Sequence, residues 1–225
     1  MLDFDPDGAA GDEGIFGLPH AEKDAALVFL PVPWEATTSY GGGTSKGPSA
    51  ILKASGQIDL FDADVHKPYE PGLFMRPESR EVRAWNKTAK AAAQAVIRAG
   101  GRVEGRPALQ KALKTVNDLG AKLNGWVYRE AKSLMDAGKI VGLVGGDHST
   151  PYGAFRAAAE THGEFGLLHF DAHADMRVAY EGFVWSHASI MYNALETIPQ
   201  VSRIVQVGIR DFCEQEAEFA RALGS

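Results

Sequence analysis

Residues 139–149 read KIVGLVGGDHS, and residues 165–175 read FGLLHFDAHAD. Each stretch begins with an apolar run of about strand length and ends in a short motif of aspartate and histidine. Continuous apolar runs of this kind are typical of parallel strands that are buried on both faces. Ligands of open α/β sheets bind at the carboxyl ends of the strands. The two motifs are therefore predicted to lie close together at one edge of a parallel sheet.

The spacing of the second motif indicates a metal site. Side chains at positions i, i+2 and i+4 of an extended segment point the same way, which directs Asp171, His173 and Asp175 to one point. Two carboxylates and an imidazole are costly to bury together unless a cation neutralises them. Taken singly, each aspartate is as well explained by helix capping or a salt bridge, and His148 by a turn. As a set of oxygen and nitrogen donors without thiolate, they favour Mn, Ni, Zn or Fe(II).

The two motifs together resemble those of the ureohydrolase family, which includes arginase, agmatinase and formimidoylglutamase. The resemblance extends to PVPWE at 31–35, SYGGGT at 39–44, Ser186-His187, and VQVGIR at 205–210. It covers most of the chain from about Leu27 onward. It implies a single three-layer α/β/α sandwich with a mainly parallel sheet, of the arginase type, over residues 25–225. It also implies a homo-oligomer, a trimer or a hexamer.

Carried over by position, the resemblance implies roles for the motif residues. His148, Asp171 and Asp175 are similar to the ligands of one metal ion, and His173 is similar to a ligand of a second ion, with Asp171 bridging the two. The implied cofactors are two divalent metal ions, with manganese expected first and nickel as the alternative. The implied reaction is hydrolysis of a C–N bond in a small cationic guanidino compound, such as agmatine or guanidine itself, with release of urea. His187 is similar to a histidine that carries protons near the substrate.

The loop before His187 carries several aromatic side chains. In the family this region faces the substrate, so Tyr180, Phe183 and Trp185 are candidates for a wall that holds a cation by cation–π contact. Packing within the loop is the alternative explanation. Upstream, the glycines at 41–43 lack the lysine and the serine or threonine that complete a phosphate-binding loop, and they are expected to form a flexible rim of the active site.

One motif of the family does not occur in the sequence. The resemblance implies a later strand reading roughly Ser-Phe-Asp-x-Asp-x-x-Asp-Pro, which completes the two-metal site, and no such motif is found up to Ser225. By the family pattern the second metal keeps only Asp171 and His173, and the C-terminal strands of the sandwich are expected to be missing. The alternative to an active hydrolase is therefore a catalytically inactive fragment, or a non-catalytic subunit that keeps the fold and one metal.

Composition argues against several other classes of protein. The 225 residues are 45% hydrophobic and 23% charged, which is typical of one globular domain. A net charge of −6 argues against general affinity for nucleic acid and against a basic membrane-binding face, and no apolar run reaches transmembrane length. The single cysteine, Cys213, and an acidic N-terminus unlike a signal peptide predict a cytoplasmic protein. Residues 1–24, rich in glycine and aspartate, are expected to form an N-terminal extension.

The rest of the chain predicts alternating strands and helices, and hence a parallel sheet with helices on both faces. Strands are expected at 25–30, ended by Pro31 and Pro33, and at 203–209, with a short edge strand at 59–61 and a loop at 66–77. Helices are expected from Gly47-Pro48 onward and at 81–99, 108–137, 152–161, 187–195 and 214–223. Asp62, Asp64 and His66 are expected to be solvated loop residues rather than a metal cluster.

Overall fold

The computed structural model of the protein describes residues 8, 11 and 14–224 and shows a parallel α/β fold. The strands are β1 Leu27–Val32, β2 Leu73–Met75, β3 Ile140–Gly145, β4 Phe165–Phe170 and β5 Val201–Val207. The helices are α1 Gly47–Ser55, α2 Arg80–Arg98, α3 Pro107–Asp136, α4 Tyr152–His162, α5 Ile190–Thr197 and α6 Glu214–Ala222. Most of these elements lie within two or three residues of the positions that periodicity predicts.

The strands form two separate parallel sheets. One has the order β2-β1-β3, and the other consists of β4 and β5. Within the described residues, β3 is not hydrogen-bonded to β4, so the two motif-bearing strands are not neighbours in one sheet as the sequence pattern suggested. The prediction of a parallel α/β fold is confirmed, and within the described residues its strands are divided between two sheets.

Each sheet has its own apolar core. Leu30, Val32 and Trp34 of the β1 segment pack against Val82 of α2 and Leu123 of α3. The second core lies around β4, β5 and α5, and it includes Tyr152, Met176, Ile190, Met191 and Ile198. Helix α4 connects the two, since it packs along α3 and also contacts α5. A side chain at Gly153 of α4 would meet the backbone of Asn124 at 2.3 Å, so glycine permits this close helix packing.

Two local predictions are wrong. Residues 59–61 form no strand, and β2 lies at Leu73–Met75, inside the segment predicted to be a loop. Strand β1 also continues through Pro31 to Val32. Its pairing with β2 ends at Phe29, so Pro31 lies beyond that ladder and pairs in register only with Val144 of β3. A proline there removes no hydrogen bond to β2.

Part of the predicted N-terminal extension belongs to the folded body. Ile15 and Leu18 are buried, and the Phe16 backbone N–H donates to Ser55 Oγ at the end of α1. Residues 1–7, 9, 10, 12 and 13 of that extension lie outside the described part of the chain. Among the helices described, none is both long and apolar enough to cross a lipid bilayer.

Candidate metal centre

The turn after β3 places His148 at the wall of a pocket. A Cβ on Gly146 would lie 1.8 Å from the Trp34 carbonyl oxygen, and the Asp147 N–H donates to that same oxygen at 2.8 Å. The buried Asp147 carboxylate accepts hydrogen bonds from the backbone N–H and the hydroxyl of Ser149. Burial raises the pKa of Asp147 against the opposing effect of these hydrogen bonds. Asp147 therefore stabilises the turn, and the next residue, His148, lies in the site.

The segment after β4 is irregular, with a bend at Ala172, and it does not continue the strand. Asp175 has a left-handed backbone with φ 54°, a conformation that aspartate tolerates better than most residues. Its carbonyl accepts hydrogen bonds from Met191 and Tyr192 at the start of α5. Because the segment is not extended, the alternation predicted for Asp171, His173 and Asp175 does not hold.

Three of the predicted residues meet at one point. His148 Nδ1 lies 2.6 Å from Asp175 Oδ2 and 3.5 Å from Asp171 Oδ2. A fourth residue, His169 of β4, joins them, and one donor atom from each of the four lies within 4.8 Å of the others. The His148 and His169 rings are 5.1 Å apart between centroids. The β3 and β4 strand ends, which belong to different sheets, thus contribute to one cluster.

Charge governs the protonation of this cluster. Burial disfavours a charged His148, but the hydrogen bond to Asp175 and the nearby carboxylates outweigh burial and raise its pKa. For Asp171, burial is outweighed by the His173 backbone N–H and the neighbouring histidines, and its pKa is lowered. The set fits a divalent cation, because the carboxylates of Asp171 and Asp175 converge with the His148 imidazole and offer oxygen and nitrogen donors without thiolate.

His173 lies on the rim of the cluster. Its side chain is 62% exposed, with Nδ1 3.3 Å from Asp171 Oδ1 and Nε2 3.8 Å from Asp211 Oδ2. The Asp211 backbone N–H donates to the Ala172 carbonyl, so the chain after β5 runs beside the second motif. Asp211 and His169 were not predicted as site residues. His169 could have been noticed as a histidine inside an apolar strand.

His187 and Tyr180 lie on the far side of the same pocket. His187 Nδ1 is 3.2 Å from the Thr37 hydroxyl, and its ring meets Tyr180 edge-on at 6.0 Å between centroids. Trp185 does not line the pocket as predicted, because it packs against Tyr152 and Gly120. Phe183 is fully buried in a separate apolar cluster with α2 and α3. Of the three predicted aromatic residues, only Tyr180 can face a ligand.

The cluster opens into a pocket of about 460 Å³ with an acidic lining. The lining includes the carboxylates of Asp147, Asp171, Asp175, Asp211 and Glu216 and one cationic side chain, Arg177. Glu216 is buried and accepts hydrogen bonds from the backbone N–H groups of Met176 and Cys213. An acidic pocket of this size suits a small cation.

Buried Glu35 fixes the glycine-rich loop at the pocket rim. Its carboxylate accepts hydrogen bonds from the Gly43 N–H at 2.6 Å, the Thr44 hydroxyl at 3.0 Å and the Ser45 N–H at 3.0 Å. It also pairs with Lys90 of α2. Burial opposes the charge, but these partners outweigh it and lower the pKa of Glu35 to about 2. The rim loop is therefore anchored to the protein core.

Comparison with known proteins agrees with this geometry. The model of the Arginase family matches residues 25–225. The chain belongs to the arginase family. N(1)-aminopropylagmatine ureohydrolase of Thermus thermophilus is 33% identical over 213 residues, which are 93% of this chain and 60% of that protein. Agmatinase of Bacillus anthracis is 25% identical over 203 residues, covering 90% of this chain and 58% of the relative.

Solved structures show the arginase fold. Arginase from Medicago truncatula superposes with a TM-score of 0.66 at 23% identity and covers 89% of this chain, which in turn covers 55% of that structure. This arginase-family chain thus spans somewhat more than half the length of the relatives that it matches. The resemblance to ureohydrolases drawn from the sequence is confirmed at the level of family and fold.

Proposed function

We propose that this protein is a metal-dependent hydrolase that cleaves a C–N bond of a guanidino compound and releases urea. The convergence of His148, Asp171 and Asp175 at the wall of an acidic pocket carries the proposal. Oxygen and nitrogen donors without thiolate suit a divalent first-row metal. Nothing in the donor set favours nickel, and manganese is the metal we propose.

The proposed substrate is a small cationic guanidino compound. Five carboxylates and one arginine line the pocket, so its field attracts cations. Tyr180 adds an aromatic ring next to His187, and the Arg177 guanidinium lies over one face of that ring, 5.3 Å from its centroid. The names of the relatives, agmatinase and N(1)-aminopropylagmatine ureohydrolase, point to agmatine and its aminopropyl derivative as the first compounds to assay.

The proposed ligand roles follow the family pattern. His148, Asp171 and Asp175 hold one metal ion, and His173 holds a second that shares Asp171. When bound, such ions lower the pKa of water and so supply a nucleophile at neutral pH. His173 is more exposed than the other three and stands apart from them, so the second ion is proposed to bind more weakly.

We assign proton transfer to His187. Its Nδ1 lies near the hydroxyls of Thr37 and Ser186, and the His187 backbone N–H donates to Thr37 Oγ1. These contacts hold the ring in place and leave Nε2 as the nitrogen available for exchange with a substrate. Histidine suits this task because its pKa lies near neutral pH.

The test measures metal content and urea release on the same samples. The chain is loaded with Mn²⁺, bound metal is determined by elemental analysis, and urea is assayed with agmatine, N(1)-aminopropylagmatine, arginine and guanidine. Asp175→Asn removes one ligand charge while asparagine still tolerates the left-handed backbone, so bound metal and urea are expected to fall together. Asp62→Asn makes the same change in an exposed turn and is expected to alter neither.

Each outcome has a distinct meaning. Two metal ions per chain with urea release support the hydrolase. A single ion without urea supports the alternative, a fragment or a non-catalytic subunit. Unchanged metal content in Asp175→Asn contradicts the proposed site. The homo-oligomer and the reducing, cytoplasmic compartment remain proposals that rest on the family and on the single cysteine.

A further inference from the structure

His169 is a buried histidine at the metal cluster to which the family pattern gives no role. It lies on β4, two residues before Asp171, and only 4% of its surface is exposed. Its Nε2 lies 3.4 Å from Asp171 Oδ2, and its Nδ1 lies 2.9 Å from the side-chain nitrogen of Gln206. Gln206 is its register partner on β5, so the two strands hold this pair together. A histidine here can either bind a metal ion through Nε2 or donate a hydrogen bond from Nε2.

The hydrogen bonds of the Gln206 amide show which ring nitrogen of His169 carries the proton. The same Gln206 nitrogen lies 2.9 Å from the Ala174 carbonyl oxygen, which only accepts hydrogen bonds. Reversing the amide would place two oxygens against each other there. The amide therefore points its NH₂ group inward, with one N–H directed to Ala174 and the other to His169. His169 Nδ1 must then be the acceptor, and the ring proton of the neutral histidine lies on Nε2.

We propose that Gln206 holds His169 in the Nε2–H tautomer, so that His169 donates to Asp171 and is not itself a metal ligand. The inference rests on the proposed role of Asp171 as a ligand. A hydrogen-bond donor to a metal-binding carboxylate fixes the orientation of that carboxylate. Supporting hydrogen bonds of this kind raise metal affinity. His169 is thus a positioning residue, and the cluster of four contains three ligands and one donor.

The protonated nitrogen can be observed directly. The full chain, labelled with ¹⁵N-histidine, is studied by long-range ¹H–¹⁵N correlation, which distinguishes protonated from bare ring nitrogens. The His169 signals are assigned by their loss in His169→Gln. We expect a protonated Nε2 and a bare Nδ1, both before and after addition of Zn²⁺ as a diamagnetic probe. A bare Nε2, or loss of the Nε2 proton when Zn²⁺ binds, overturns the proposal.

Substitutions of Gln206 test whether its amide sets the tautomer of His169. Gln206→Met keeps the size of the side chain without its amide and is expected to yield a mixture of tautomers. Gln206→Glu offers only acceptors and is expected to protonate Nδ1. If Nε2 stays protonated and Nδ1 stays bare in both variants while circular dichroism shows an intact fold, Gln206 does not set the tautomer and the proposal fails.

The metal affinity of His169 variants shows whether His169 acts as a hydrogen-bond donor or as a metal ligand. His169→Gln retains an N–H donor of similar reach, whereas His169→Leu retains none. We expect Mn²⁺ affinity, measured by titration calorimetry, to fall about 10–100-fold in His169→Leu and much less in His169→Gln. Equal losses in both overturn the donor role.

Asp171→Asn distinguishes this inference from the proposed function. If Asp171→Asn binds Mn²⁺ as the unaltered chain does, the proposed metal site is wrong. If it loses the metal while His169 Nε2 is found bare, only the inference about His169 is wrong.

Discussion

At the scale of single residues, Glu35 is a carboxylate held by four hydrogen-bonding partners. One oxygen receives three hydrogen bonds from residues 43–45 of the rim loop, and the other pairs with Lys90. Its pKa is lowered from 4.5 to about 2, so the native state favours the ionised form. The stabilisation is fully present above the unfolded-state pKa of 4.5 and is lost as the pH falls through 2. It amounts to about 3 kcal/mol.

We therefore expect Glu35→Gln to lower the free energy of unfolding by up to about 3 kcal/mol near neutral pH. The difference in unfolding free energy between Glu35→Gln and the unaltered chain should shrink at about pH 3. At that pH Glu35 is protonated in the unfolded state but still ionised in the native state. Urea denaturation near neutral pH and at about pH 3 measures this difference in unfolding free energy. Asp118→Asn breaks the exposed pair of Lys114 and Asp118 and should cost about 0.5 kcal/mol or less. A Glu35→Gln effect that does not vary with pH contradicts the lowered pKa.

At the scale of elements, helix α3 contains two glycines with opposite surroundings. A Cβ at Gly120 would lie 2.9 Å from the Trp185 Cβ, whereas a Cβ at Gly125 would meet only the flexible end of Arg129 at 3.6 Å. Alanine gains about 1 kcal/mol of helix propensity over glycine at either position. The two positions therefore differ in packing alone.

Gly125→Ala is expected to stabilise the protein by up to about 1 kcal/mol. Gly120→Ala is expected to destabilise it by about 1–2 kcal/mol net, because it forces Trp185 away from α3. Thermal or urea unfolding of the two variants measures the difference, and each serves as the control for the other. Equal effects of the two substitutions would show that Trp185 does not press against α3 in solution.

The elements also show how far the sequence could be read. Strand β4 and the long helices were predicted nearly to the residue, because apolar runs and helix-stopping glycines are local signals. Strand β2 was missed because it has three residues and is specified by pairing with β1. The left-handed Asp175 and the contact between His169 and Gln206 depend on distant parts of the chain. The sequence therefore predicted His148, Asp171 and Asp175 of the cluster, but it did not predict that His169 joins them or that His173 lies at the rim.

At the scale of the whole molecule, the β4–β5 sheet leaves one apolar face exposed. Leu168 and Phe170 are 63% and 70% exposed, and their register partners Val205 and Val207 are 49% and 44% exposed. Parallel sheets are normally covered on both faces. The opposite face carries His169 and Gln206 and packs on the second core. The sheet therefore positions the metal cluster on one side and presents an apolar surface on the other.

An apolar surface of this kind promotes association. We expect the isolated chain to bind an apolar dye such as ANS and to increase in apparent mass with concentration in analytical ultracentrifugation. Leu168→Thr combined with Val205→Thr keeps strong strand formers and removes apolar area, so both signals should fall sharply. Phe61→Ser removes a side chain that is 89% exposed on a loop and should change them little. If the double variant binds the dye and associates as before, association arises elsewhere on the molecule, and the exposed sheet face is not its cause.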